Sequence, residues 1–162
     1  MSRHIISVQV ENKSGVLARV AGLFSARGYN IDSLAVSHTI NDDISIMTMV
    51  VRGDDRVIEQ VKKQLNKLIN VIKVSDHSDS IAIQRELVLI HVGAKSSAKY
   101  EIIKLSEVFN ANIAEISNDS IILGLEAEPK KIDDFIELLK PYGIKELMRT
   151  GQISMLKNSE NL

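Results

Sequence analysis

A short polar turn between a predicted strand and a predicted helix carries the residues best suited to ligand chemistry. It runs from Asn12 to Leu17 and includes Gly15. Asn12 supplies both an amide donor and a carbonyl acceptor, and Gly15 lets a ligand approach the backbone because it has no Cβ atom. The first N–H groups of a helix, together with the helix dipole, favour a carboxylate. These features predict a site for a free amino acid.

Two further observations bear on this site. Asn30, just past the same helix at the start of the next predicted strand, offers a second amide. On the other hand, Asn-x-Ser-Gly is also a good turn with Ser14 as the helix N-cap, and spacing alone favours this simpler interpretation. No nucleophile or general base lies beside the turn, so it indicates sensing rather than catalysis.

Other chemistry-bearing residues have structural explanations. The four histidines are scattered, and none has a second metal ligand three or four residues away, so neither a metal site nor a catalytic base is predicted. The adjacent aspartates at 42–43, 54–55 and 133–134 fit turns and helix starts. The small residues Ala18, Gly22 and Ala26 permit a subunit contact, but packing on their own sheet is the favoured interpretation.

The composition excludes several classes of protein. The 162 residues carry a formal net charge of -1 and only 4% aromatics, which argues against nucleic-acid binding. No apolar run reaches the roughly 20 residues of a membrane span, and Met1 to His4 leads straight into a strand pattern, so no signal peptide is predicted. Cysteine is absent, which excludes disulfides and thiolate metal sites. We therefore expect a cytoplasmic protein.

The elements that position the turn occur in two copies of one order. Residues 4–11 alternate between apolar and polar, as a half-buried strand does. A helix, two strands, a second helix and a fourth strand follow; the later strands are predicted at 31–39, 44–51 and 71–74. This order favours a four-stranded antiparallel sheet with both helices on one face, the ferredoxin-like arrangement.

The second copy follows a polar stretch, and nothing in it matches the turn. Its strands are predicted at 87–92, 113–117, 121–125 and 144–148, with one more at 151–156. The fold class is therefore α+β, with two tandem ferredoxin-like (βαββαβ) domains. The predicted boundaries are 1–76 for the first domain, 77–84 for the linker, 85–157 for the second domain and 158–162 for a frayed tail.

Several motifs together resemble one family, the small regulatory subunits of acetolactate synthase (acetohydroxyacid synthase). The longest runs from Val10 to Val20 and continues through Gly22-Leu23-Phe24 and Arg27-Gly28-Tyr29-Asn30-Ile31. Further motifs occur in the family's order, and the resemblance covers nearly the whole chain. They lie at 58–60, 63–68, 85–87, 144–147 and 149–151.

The resemblance implies an ACT domain over residues 1–76 and a subunit with no active site of its own. Such a subunit activates a catalytic subunit that carries thiamine diphosphate, magnesium and FAD, and it confers feedback inhibition by valine or another branched-chain amino acid. ACT domains pair side by side, which implies a homodimer with the effector between the turn of one chain and the neighbouring chain. The implied effector-binding residues are Asn12, Lys13, Ser14, Gly15, Val16, Leu17, Asn30 and Ile31; no catalytic or metal-binding residue is implied.

The chain departs from the family pattern at three positions. Ile46 stands where an arginine is usual, and Asn110 and Gln152 stand where a basic residue is common, so contacts that depend on those charges do not carry over. One alternative is a stand-alone amino-acid-sensing ACT module that regulates another partner, such as a transcription apparatus. Another is a small enzyme, for instance a mutase or a dehydratase fragment. The lack of a DNA-binding segment and of catalytic groups argues against them.

Overall fold

The structure, a computed structural model, describes residues 2–78 and 81–157. Its contacts divide the chain into two compact units. One unit comprises Met1–Ile83 and Gln152–Leu162, and the other comprises Gln84–Gly151. The second unit is therefore inserted into the chain of the first.

The first unit is built from four strands and two helices in the predicted order. The elements are β1 (Ser2–Glu11), α1 (Val16–Ser25), β2 (Ile31–His38), β3 (Ile44–Gly53), α2 (Asp55–Leu65) and β4 (Val71–Asp76). The strands pair in the order β2-β3-β1-β4, and every pair is antiparallel. This is the ferredoxin-like order.

The core of this unit follows from the two hydrophobic periods of its sequence. Alternation along β1 places Ile6, Val8 and Val10 on one face, where each is at most 1% exposed. On α1 the buried residues recur every four positions, which keeps one face of the helix towards the sheet. They are Val16, Val20 and Phe24.

The end of α1 is defined by Gly28. Gly28 has a φ of 70°, and its N–H donates to the carbonyl of Ser25 at 3.1 Å. The next N–H, of Tyr29, donates to the carbonyl of Phe24, also at 3.1 Å. These two bonds form a Schellman motif, which satisfies the last helical carbonyls and turns the chain towards β2.

The C-terminal segment belongs to the first unit, and this differs from the predicted second domain of 85–157. The backbone N–H of Gln152 donates to Ser33 Oγ at 3.1 Å, and His77 Nδ1 lies 2.9 Å from Ser154 Oγ. The additional strand predicted at 151–156 is present as β9 (Ile153–Leu156). The C-terminal segment contacts the first unit through polar contacts between residues far apart in the sequence. Such contacts leave no local pattern, so the sequence does not predict them.

The second unit repeats the topology of the first. Its strands and helices are β5 (Ala82–Gly93), α3 (Ser96–Phe109), β6 (Asn112–Ile116), β7 (Ser120–Ala127), α4 (Pro129–Leu139) and β8 (Ile144–Arg149). The strands pair in the order β6-β7-β5-β8, and Val88, Ile90 and Val92 alternate into a fully buried core. The predicted fold class, two tandem ferredoxin-like domains, is confirmed.

The predicted linker at 77–84 is only partly a connection. β5 already begins at Ala82, and His77 extends the contact with β1 by donating its N–H to the carbonyl of Ile5 at 2.8 Å. The N–H of Ile5 in turn donates to Ser78 Oγ at 3.0 Å. The polar residues at the start of the predicted linker are therefore hydrogen-bonded to the sheet and do not form a free connection. Positions 79 and 80 of the linker and the predicted tail at 158–162 lie outside the described residues.

Candidate functional site

The turn after β1 is fastened to the neighbouring β2–β3 hairpin through Asn12. The backbone N–H of Asn12 donates to the carbonyl of Asp43 at 2.8 Å, and its Nδ2 donates to the carbonyl of Asp42 at 2.7 Å. The second contact uses one of the two amide hydrogens and leaves the other hydrogen and Oδ1 for a ligand. The side chain is thus held in place while part of its amide stays available.

Gly15 determines how α1 begins. Its φ is 81°, a left-handed conformation that glycine adopts without steric strain. Gly15 is the N-cap residue of α1, and no side chain caps the helix. The prediction that Ser14 is the N-cap is therefore wrong, because the left-handed glycine moves the helix start one residue further along.

The start of α1 presents unpaired backbone donors. The N–H of Val16 donates to the carbonyl of Lys13 at 3.3 Å, whereas the N–H groups of Leu17 and Ala18 find no acceptor among residues 2–78 and 81–157. The first turn of the helix contains no acidic residue. Unpaired N–H groups at the positive end of the helix dipole are suited to a carboxylate.

A chain of polar side chains flanks the turn. Glu11 Oε2 lies 3.0 Å from Lys13 Nζ and accepts a 2.6 Å hydrogen bond from Asn70 Nδ2. Asn70 Oδ1 accepts from Arg19 Nη1 at 2.8 Å. The hydrogen bond from Asn70, and then the one from Lys13, lower the pKa of Glu11 below its usual value. The carboxylate is therefore paired, and Lys13 and Arg19 bring two cations into this chain of side chains beside the turn.

The apolar residues of the turn divide into two environments. Val16 is 4% exposed and packs in the core of the first unit, so only its backbone faces the turn. Leu17 is 44% exposed and is the apolar side chain of the turn that remains open to a ligand or to a second chain.

Asn30 and Ile31 do not lie beside the turn within one chain. Glu11, next to the turn, pairs with Ile44 on β3, whereas Ile31 pairs with Val51. Seven residues of extended strand span about 23 Å, so the two predicted groups lie at opposite ends of the sheet. Asn30 Nδ2 donates to Asp32 Oδ1 at 3.0 Å.

Three side chains near the turn, those of Glu11, Arg19 and Asn70, were not among the predicted site residues. Arg19 belongs to the recognised motif, but its contact with Asn70 joins positions 51 residues apart. No periodicity or local motif signals such a pair, and only the fold brings the two side chains together.

Two of the departures from the family pattern have a structural reason. Asn110 ends α3 with a φ of 56°, a left-handed conformation in which asparagine is favoured among residues with a side chain. Gln152 is 1% exposed and accepts a 2.5 Å hydrogen bond from Arg3. A basic side chain there would bring two like charges together in a buried place.

Within residues 2–78 and 81–157, no three His, Asp or Glu side chains are grouped so that they could hold a metal ion. In the same part of the chain, no helix combines the length and apolarity needed to cross a membrane.

Comparisons with known proteins point to one family over the full length. Residues 6–73 match a family model described as an AHAS small subunit-like ACT domain, and residues 85–158 match one described as the small subunit of acetolactate synthase. A probable acetolactate synthase small subunit of Archaeoglobus fulgidus is 52% identical over 158 residues, covering 98% of this chain and 99% of the relative. The acetolactate synthase small subunit of Bacillus subtilis is 44% identical, covering 98% and 92%.

A solved structure agrees with these matches. The crystal structure of the acetolactate synthase small subunit from Thermotoga maritima superimposes with a TM-score of 0.87 at 35% identity, covering 97% of this chain and 98% of that one. Sequence and fold thus agree over both domains, and the chain belongs to the family of acetolactate synthase small subunits.

Proposed function

We propose that this chain is the non-catalytic regulatory subunit of a cytoplasmic acetolactate synthase in branched-chain amino acid biosynthesis. It activates the catalytic subunit and confers feedback inhibition by valine or a related amino acid. The observation that carries the proposal is the start of α1, where Leu17 and Ala18 offer unpaired N–H groups next to the fixed amide of Asn12.

The turn recognises the two charged ends of an amino acid. The carboxylate binds the free N–H groups, assisted by the helix dipole, while Asn12 Oδ1 accepts from the ammonium group. The exposed side chain of Leu17 contacts the aliphatic part of the effector. One methylene in such a pocket changes binding by only about 1–3 kcal/mol, so valine, leucine and isoleucine are not sharply separated.

A second copy of the chain completes the site. The turn and the Asn30–Ile31 pair lie about 23 Å apart along the sheet, too far for one amino acid to touch both. In a two-fold symmetric dimer the turn of one chain meets the Asn30–Ile31 pair of its partner, which gives two equivalent sites. Since β2 is an edge strand, it is free to lie against the partner.

The small residues of α1 support this dimer. Packing on their own sheet was the favoured interpretation, but Ala18, Gly22 and Ala26 are all exposed. They leave a flat surface beside the turn that a partner chain can approach closely.

An effector held between two chains favours one relative placement of those chains. It shifts the complex between activating and inhibiting states by its differential affinity for the two. Thiamine diphosphate, magnesium and FAD reside on the catalytic subunit in this proposal. This chain contributes no reacting group.

The test is the rate of acetolactate formation by the catalytic subunit with and without this chain, at increasing valine, leucine or isoleucine. We expect the chain to raise the rate and valine to lower it again. Asn12→Ala should keep the activation and lose the inhibition. Asn118→Ala, which removes an exposed amide in the second domain, should retain both.

Two results would overturn the proposal. An unchanged rate at every concentration of the chain would favour a stand-alone amino-acid-binding module. Turnover by the purified chain alone would make it an enzyme.

A further inference from the structure

The two domains hold the end of their first strand with the same backbone hydrogen bond. In the first domain the N–H of Glu11 donates to the carbonyl of Asn70 at 2.9 Å, and in the second the N–H of Gly93 donates to the carbonyl of Gly143 at 2.8 Å. The fold therefore supplies this bond in both places. The side chains differ, since the second domain has two glycines where the first has a glutamate and an asparagine.

The side chain of Asn70 uses both ends of its amide. Its Nδ2 donates to the Glu11 carboxylate at 2.6 Å, and its Oδ1 accepts from Arg19 at 2.8 Å. Glu11 directly precedes the turn, and Arg19 lies within the first turns of α1, close to the free N–H groups of Leu17 and Ala18. One amide thus links the two segments between which the ligand would sit.

We infer that Asn70 is a positioning residue of the effector turn: its amide fixes Glu11 and Arg19 relative to each other, so that the turn is shaped for a carboxylate before the ligand binds. The inference rests on the proposed function. A site held in its bound geometry binds more tightly because less freedom is lost on binding.

The same contacts set the charge around the turn. With Asn70 in place, the Glu11 carboxylate is held by the Asn70 amide and by Lys13 Nζ at 3.0 Å. Without the amide, the carboxylate is free to approach the N–H groups at the start of α1 and to repel the carboxylate of the ligand. Loss of the Asn70 amide would therefore weaken ligand binding in two ways: the turn would be less ordered, and a negative charge would lie closer to the ligand carboxylate.

The experiment compares the affinity of the full chain for L-valine, by titration calorimetry, with that of Asn70→Ala. We expect about fivefold to tenfold weaker binding, the equivalent of losing one or two hydrogen bonds. The matched control is Asn66→Ala, since Asn66 Nδ2 donates to the carbonyl of Lys62 at 2.9 Å in the same loop. Its valine affinity should equal that of the wild type.

An isosteric variant separates positioning from general packing. Asn70→Asp keeps the size of the side chain and an acceptor for Arg19, but its carboxylate cannot donate to Glu11 and repels it instead. We expect Asn70→Asp to bind valine at pH 7.5 at least as weakly as Asn70→Ala, although it fills the same space. Arg19→Gln provides a second variant, and combining it with Asn70→Ala should weaken binding no further than Asn70→Ala alone.

The outcomes distinguish the two proposals. If the wild type binds no branched-chain amino acid, the proposed function fails. If the wild type binds valine and Asn70→Ala binds it equally well, this inference is overturned and the proposed function stands. Equal losses in Asn70→Ala and Asn66→Ala, or wild-type affinity in Asn70→Asp, would also overturn the inference.

Discussion

The two strand-to-helix turns of this protein share a backbone hydrogen bond to the neighbouring hairpin, but they differ in length and in their residues. After β1 the N–H of Asn12 donates to the carbonyl of Asp43 at 2.8 Å, and after β5 the N–H of Ala94 donates to the carbonyl of Asp119 at 2.7 Å. In the first domain four residues separate strand and helix, and Gly15 is left-handed. In the second, two residues suffice.

The comparison separates the features that the fold supplies to both turns from those that are present only in the first turn. A helix start facing a hairpin is common to both domains, so it is not by itself a reason to assign a ligand. The second turn also borders a cavity of about 610 Å³, lined in part by Lys95 and Lys145. What distinguishes the first turn is its amide, its left-handed glycine and the polar contacts around it.

The largest expected effect concerns the second domain, where the buried charges serve stability. Glu86 has a side chain only 5% exposed, and Arg149 contacts it through two hydrogen bonds of 2.8 and 2.6 Å. Arg149→Ala leaves that carboxylate buried and unpaired, which should destabilise the protein by about 3 kcal/mol. Denaturant unfolding measures this.

The control is Lys130→Ala, because the ion pair between Lys130 and Asp134 at 3.2 Å is exposed and should contribute little. Valine affinity in Arg149→Ala, measured below the unfolding temperature, should be unchanged. A loss of valine binding in this variant would contradict the proposed contrast, in which only the first domain binds the effector.

The next effect is that of Asn12→Ala, which gives the first turn the residue type found at position 94. The substitution removes the hydrogen bond to Asp42 and the amide offered to the ligand. We expect valine binding to weaken about tenfold to a hundredfold, as measured by calorimetry. The wild type should bind one valine per chain, and a second binding event that survives in Asn12→Ala would assign a ligand to the other turn.

Two glycines allow a test of backbone strain. Gly15 and Gly143 have φ values of 81° and 88°, and a Cβ atom at either position would meet no atom within 4 Å. Alanine should lower stability by about 1 kcal/mol at Gly15, which is left-handed, and by more at Gly143, whose ψ of 97° lies outside that region. Only Gly15→Ala should reduce valine inhibition; an equal reduction in Gly143→Ala would show that strain, and not the site, is responsible.

The smallest expected effect is a pH dependence in the first unit. Burial of His77, and then the charge of Lys73, lower its pKa below the usual 6.5, although Asp76 opposes the shift. The unfolded chain therefore takes up a proton first as the pH falls, so stability is complete above pH 6.5 and declines below it. Denaturant unfolding between pH 7.5 and 5.5 should show this decline, and His77→Gln should flatten it. An equal slope in both proteins would contradict this assignment.

The sequence predicted the order of strands and helices and the buried face of β1, because periodic patterns encode these features. Alternation in β1 indicated its buried face, because apolar residues on one face of a strand must pack against another element. Ser14 was assigned wrongly as a cap because the pattern does not show which residue adopts the left-handed conformation.

The sequence did not predict any of the contacts between distant residues. The pairing of Arg19 with Asn70 and the return of Gln152 to Ser33 each depend on where strands and helices meet in space. The residues of the turn could be proposed as a site from the amide of Asn12 and the absent Cβ atom of Gly15. Their separation from Asn30 and Ile31 within one chain follows only from the strand register.

The return of the C-terminal segment has a consequence for how this protein can be divided. A fragment ending at residue 76 would lack Gln152, which donates its N–H to Ser33, and both members of the contact between His77 and Ser154. The natural cut lies instead on both sides of the insert, at Ile83 and Gln152. An isolated first unit would therefore be made as a deletion, with residues 2–83 rejoined through a short connection to 152–157, and not as a simple truncation.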